Sequence, residues 1–228
     1  MVGVKDAWIT LVHVCQKWRN VVFESPRRLQ LQLYCQAGTP VKEMLDIWPP
    51  LPMFVSNIDH KKWGADNVLA ALEHNDRISQ LRLFLSLGQA LGGSSSKLLA
   101  ATQRPFPALR GLAVLYADFL ETIVIPTSFL GGSAPNLERL MLRNISFPDL
   151  PKLLLSATHL HYLHLDEIPD SGYFTPQAMA TCLSVLTKLS ILFMDFKKIQ
   201  SRRDLNQQEP PPDARSPPCS LSLLLFWG

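Results

Sequence analysis

The chain has 228 residues, of which 47% are hydrophobic and 18% charged, and its formal net charge is +3. A chain of that length buries a real core in one domain or two small ones, and that composition excludes a disordered protein. The basic residues are scattered apart from Arg27-Arg28, Lys61-Lys62, Lys197-Lys198 and Arg202-Arg203, so neither nucleic acid nor a membrane surface is an expected partner.

The first segment predicts a helix. Trp8, Leu11, Val12, Cys15, Trp18 and Val22 recur at helical spacing on one stripe, widened by Val14 and Val21, with His13, Gln16, Lys17 and Asn20 opposite. Asp6 and His13 interrupt the apolar run, and no small-residue cleavage site follows, so the segment does not read as a signal peptide. Pro26 pushes Ser25 out of the helical region and ends the helix. Leu29, Leu31 and Leu33 then alternate with Gln30 and Gln32, the pattern of a half-buried strand.

Thr39-Pro40 reads as an N-cap and first-turn proline, opening a helix whose apolar face is Val41, Met44, Leu45 and Trp48 and which stops at Pro49-Pro50. LPMFV, Leu51 to Val55, reads as a second strand. From there one frame, L-x-x-L-x-L, appears five times. Its copies are ISQLRL (Ile78 to Leu83), LRGLAV (Leu109 to Val114), LERLML (Leu137 to Leu142), LHYLHL (Leu160 to Leu165) and LSILFM (Leu189 to Met194). Helical stretches lie between copies: KLLAA after Ser96, PDLPKLLLSA at Pro148 to Ala157, and QAMATCLSVL after the cap Thr175-Pro176. In each copy the last two positions share a strand face, and the first turns inward as the strand begins. No single unit buries its leucines alone, so the units must stack. The expected fold is α/β: a solenoid with a parallel sheet on the concave side and short helices behind.

At these residues the chain resembles known families. The frames resemble leucine-rich repeats of the irregular intracellular kind. The segment LVHVCQKWRNVVFESPRRL resembles the second half of an F-box, as found in F-box-like repeat proteins abundant in mushroom-forming basidiomycete fungi. Val14, Cys15, Trp18 and Arg19 occupy the V-C-x-x-W-R positions, with Ser25-Pro26 as the turn. The resemblance implies a partial F-box over residues 1–28, one or two helices long, and a leucine-rich-repeat solenoid over 29–199. It implies a Skp-family adaptor as one partner and a captured target protein as the other, in a Skp–cullin–F-box ubiquitin ligase. The Leu-Pro-containing helix pair with which F-boxes dock on that adaptor is not found before Trp8. The stripe from Trp8 to Val22 would pack against the adaptor or the first repeat. The alternative is a repeat scaffold without a ubiquitin link, its N-terminal helix serving only as a cap.

Residues 200–219 are polar and proline-rich and read as an unfolded linker; residues 220–228, SLSLLLFWG, read as the truncated start of another repeat, making the sequence a fragment.

Chemistry finds little foothold. Cys15, Cys35, Cys182 and Cys219 form no C-x-x-C pair, which suits reduced thiols in an intracellular protein, cytoplasmic or nuclear. His159, His161 and His164 crowd together near Asp166, but strand alternation sends them in different directions, so no metal site is expected. Three serines separate Gly93 from Lys97 in GQALGGSSSK, which is a loop rather than a phosphate cradle. Neither an enzyme nor a cofactor is expected. The candidate site is the outward row of the sheet: Arg82, Phe84, Ala113, Leu115, Met141, Arg143, His164, Asp166, Phe193 and Asp195.

Overall fold

The structure is a computed structural model that describes residues 14–24, 31–57, 64–85, 94–117, 122–197 and 224–225. In chain order its strands are β1 (Leu31–Tyr34), β2 (Met53–Ser56), β3 (Ile78–Leu85), β4 (Gly111–Tyr116), β5 (Ile123–Val124), β6 (Arg139–Arg143), β7 (Ile145–Ser146), β8 (Tyr162–Ile168), β9 (Ile191–Phe196) and β10 (Leu224–Leu225). The helices are α1 (Gln16–Phe23), α2 (Val41–Ile47), α3 (Ala65–Leu72), α4 (Ser94–Ala101), α5 (Leu150–Ser156) and α6 (Pro176–Val185). The main sheet runs β1-β2-β3-β4-β6-β8-β9-β10, so the strands lie side by side in the order in which the chain makes them. The first seven of these are mutually parallel. The fold is α/β.

The leucine frames are in register. Leu81, Leu112, Leu140, Leu163 and Leu192 sit opposite one another on successive strands, as do Leu83, Val114, Leu142, Leu165 and Met194. The first residue of four frames, Ile78, Leu109, Leu137 and Leu160, is buried where its strand begins, and that of the fifth, Leu189, is half-buried against the same core. Helix residues Val41, Leu45, Val68, Leu98, Leu153, Leu154 and Met179 join the same apolar core, which places the helices against the leucine face. Each buried leucine contributes roughly 1.5–3 kcal/mol, and only a neighbouring strand and helix can cover it. The helices also stack in chain order, α2 on α3, α3 on α4 and α5 on α6. Between α4 and α5 a short 3-10 turn, Phe129–Gly132, bridges the gap: the Leu130 N–H donates to Thr102 O and the Gly131 N–H to Gln103 O.

Local chemistry fixes several boundaries. Thr175 Oγ1 accepts a hydrogen bond from the Ala178 N–H, and Pro176 occupies the first turn of α6, as the cap motif predicts. At α2 the cap prediction fails. Pro40 stands at the N-cap, and the Thr39 hydroxyl instead donates to Tyr34 O and accepts from the Gln36 N–H, closing the turn after β1. α4 begins at Ser94, two residues before the expected cap Ser96, so the serines form the first turn.

Asparagines close two strand ends. Asn57 follows β2 and holds Phe84 of β3, while Asn144 follows β6 with a left-handed φ of 55° and donates to Tyr116 O of β4. β5 and β7 form a separate parallel pair that the leucine frames do not announce.

Cys15 and Trp18 of the N-terminal stripe are exposed, Trp18 to 49%, so these two do not pack against the first strand unit. α1 is too short and too polar in mean to drive its own burial, and Val14 and Val21 beside them are exposed as well. Trp8, Leu11, Val12 and the side chain of Val22 lie outside the described residues. At the other end, Leu224 and Leu225 pair antiparallel with Leu192 and Ile191, whereas another repeat would add a parallel strand. Residues 200–223, 226–228 and 86–93, the last including most of the GQALGGSSSK segment, lie outside the described residues.

Candidate protein-binding face

Strand alternation sends every second side chain away from the helices, and the register lines those side chains up in three rows. The middle row is Tyr34, Ser56, Arg82, Ala113, Met141, His164 and Phe193. A second row carries Phe84, Leu115, Arg143 and Asp166. The sequence names most of both rows, and the structure brings those residues onto one face with the side chains half-buried or exposed. Asp195 is exposed on β9, on the same alternation as Phe193.

A third row was missed: Gln32, Phe54, Gln80, Gly111, Arg139, Tyr162 and Ile191. Its signal was available, because in every leucine frame it is the residue just before the second leucine. A groove of about 450 Å³ runs between this row and the middle one. Its floor is shallowest in side chains at β4, where Gly111 and Ala113 stand between Gln80 and Arg82 on one side and Arg139 and Met141 on the other. The volume lies in the range of ligand-binding clefts, roughly 300–1,000 Å³.

The face is divided electrostatically. Arg143 Nε lies 3.2 Å from Asp166 Oδ2 and 3.1 Å from Glu167 Oε2. The Glu167 hydrogen bond holds the Arg143 guanidinium above its already high range; burial opposes it, and the charges of Glu167 and then Asp166 add to the rise. Two predicted contact residues thus satisfy each other. Arg82 lies 5.8 Å over the Phe54 ring, and Arg139 Nε donates to His161 Nε2 at 3.4 Å.

The histidines diverge. His159 Nδ1 is 3.1 Å from Pro135 O, His161 meets Arg139, and His164 stacks between Tyr162 and Phe193, with its Nδ1 3.0 Å from the Tyr162 hydroxyl. Among the described residues no cluster of three His, Cys, Asp or Glu side chains is placed to hold a metal. Nor is any helix among them long and apolar enough to cross a membrane.

No protein-family model, curated protein or solved structure matches this chain.

Proposed function

We propose that the protein is a non-enzymatic interaction module, a leucine-rich-repeat solenoid that captures a protein partner on the open face of its sheet. One observation carries this reading: a groove crosses six parallel strands on the face that the helices leave uncovered. Aromatic residues, Met and Arg along that face, such as Phe54, Met141, Tyr162 and Phe193, are the side chains that anchor protein interfaces.

The N-terminal helix supports a second element of the proposal. Val14, Trp18 and Val21 are exposed at helical spacing, and an apolar stripe left bare on a helix suits a partner better than a cap. In the F-box reading that partner is the Skp-family adaptor, and the captured target would be presented to a ubiquitin ligase whose other subunits supply the chemistry.

The two roles separate experimentally. Met141→Asp and Phe193→Asp should abolish capture of target protein from a cell extract, while Lys152→Glu on the exposed side of α5 leaves it intact. Capture that survives both open-face substitutions refutes the binding face. Purified Skp adaptor should be retained by the wild-type chain and lost with Trp18→Ala. Failure of the wild type to retain it removes the ligase role and leaves a repeat scaffold.

A further inference from the structure

We infer that the groove takes an extended, acidic peptide segment of the partner that seats one apolar side chain in the notch over Gly111 and Ala113. This deepens the open-face reading above and rests on it. Three observations lead there. The first is charge: the lining carries Arg82, Arg139 and His161 and no carboxylate. Beside the groove Asp166 and Glu167 are engaged with Arg143, and Glu138 with Arg110 at 3.1 Å, while the exposed Asp195 of β9 is not among the lining residues. Among the described residues the contacts of Arg82 and Arg139 are an aromatic ring and an imidazole, which leaves both cations uncompensated for an anionic occupant.

The second is shape. The lining passes from Phe54 on β2 to Ile191 on β9, five strand spacings of about 4.8 Å each, or roughly 24 Å. An extended peptide rising about 3.3 Å per residue covers that distance with about seven residues. The third is the notch. The nearest atoms to a Cβ built on Gly111 are those of the Gln80 side chain, its Cγ at 3.3 Å, and Gly111 lines the groove. The immediate walls of the notch are Gln80 and Arg82 on β3 and Arg139 and Met141 on β6, with the Phe54 and Tyr162 rings one strand further out on either side, so the Met141 side supplies the apolar contact. Nucleic acid is the less suited anion, because the net charge of +3 supplies no extended basic surface to follow a phosphate backbone.

The test is selection from a displayed library of random heptapeptides, run on the full chain as wild type, Gly111→Leu, Arg82→Glu/Arg139→Glu and Lys152→Glu. Leucine at 111 projects into the notch and requires the Gln80 side chain, whose Cγ stands 3.3 Å from the added Cβ, to give way, so circular dichroism verifies that each variant is folded. Should Gly111→Leu misfold, the charge-reversed pair decides alone. Selected peptides should carry Asp or Glu around one aromatic or aliphatic residue. Their affinity should drop at least tenfold in both groove variants and stay unchanged in Lys152→Glu. Basic or uncharged selected peptides that still lose binding on Gly111→Leu overturn the acidic assignment while the open-face reading survives. Acidic peptides indifferent to both groove variants overturn the groove. Absence of any selected peptide that depends on the open face overturns both. A fluorescent single-stranded oligonucleotide that outcompetes the selected peptides overturns the peptide assignment in favour of nucleic acid.

Discussion

The Asn57 side chain holds both backbone groups of Phe84, donating from Nδ2 to the carbonyl at 2.9 Å and accepting from the N–H at 2.7 Å. Phe84 is 27 residues later, on the next strand, so one amide ties two successive turns of the chain together where the β2–β3 ladder ends. Asn57 is itself buried, and removing it strands peptide groups that water reaches poorly. Asn57→Ala should lower unfolding stability by about 2 kcal/mol in urea titration. Asn57→Asp keeps the acceptor but sets a buried carboxylate oxygen against the Phe84 carbonyl, and should destabilise at least as much as Asn57→Ala at neutral pH.

Asn144 performs the comparable task after β6. It is fully buried, its φ is 55°, its Nδ2 donates to Tyr116 O at 3.3 Å, and its N–H donates to Asp166 O at 2.9 Å. Asparagine tolerates the left-handed region better than branched residues do. Asn144→Val should therefore cost more than Asn144→Gly, which keeps the backbone angle and loses only the side-chain bonds. Guanidinium melts of the two variants should differ by at least about 1 kcal/mol in that order.

Adjacent residues on β6 should behave oppositely. Leu140 is fully buried among the leucine ladders, and Leu140→Ala should destabilise by about 2–5 kcal/mol. Met141 beside it faces the groove, and Met141→Ala should shift stability by less than about 1 kcal/mol while weakening partner binding. Thermal melts paired with a binding assay resolve the two. This one-residue reversal was legible from the L-x-x-L-x-L frame, because strand alternation follows from backbone geometry alone.

Of the caps expected at Thr39, Ser96 and Thr175, Thr175 is the one that accepts the hydrogen bond of its helix. Thr175→Ala removes the acceptor of the Ala178 N–H and should cost about 1 kcal/mol, whereas Thr175→Asp should restore most of it. The equivalent change at Thr39 acts on a turn and not on a helix end. Its effect should therefore show in amide exchange around Gln36, and leave the helicity of α2 unchanged in circular dichroism.

Burial pushes the Cys35 thiol up to about 12, and burial raises Cys182 as well, while Cys15 is exposed. At pH 8 iodoacetamide should label Cys15 quickly and leave Cys35 and Cys182 unlabelled until the protein unfolds, as peptide mass mapping would show. The pH dependence has a definite sign. The folded Cys35 keeps its proton to a higher pH than the unfolded chain does, so its contribution is complete below the ordinary thiol value of 9.0 and declines as pH rises from there toward 12. Cys35→Ala should flatten that alkaline decline in urea titrations at successive pH values.

The sequence by itself determined the strand identity of five leucine frames, the faces their side chains take, and the cap of α6. Those features are local, set by periods of two and 3.6 residues and by the hydrogen bonds of single side chains. It did not determine which outward residues share a groove. That depends on register between strands: Phe54 of β2 aligns with Gln80, not with Ile78 or Ser79, because the ladder shifts after Met53. Nor did it settle which charges remain available, since Arg143 and Asp166 read alike as contact residues until folding places them 3.2 Å apart. The antiparallel pairing of Leu224 and Leu225 on β9 was hidden for the same reason. Strand propensity is local, and only the sheet edge that a segment meets decides in which direction it runs.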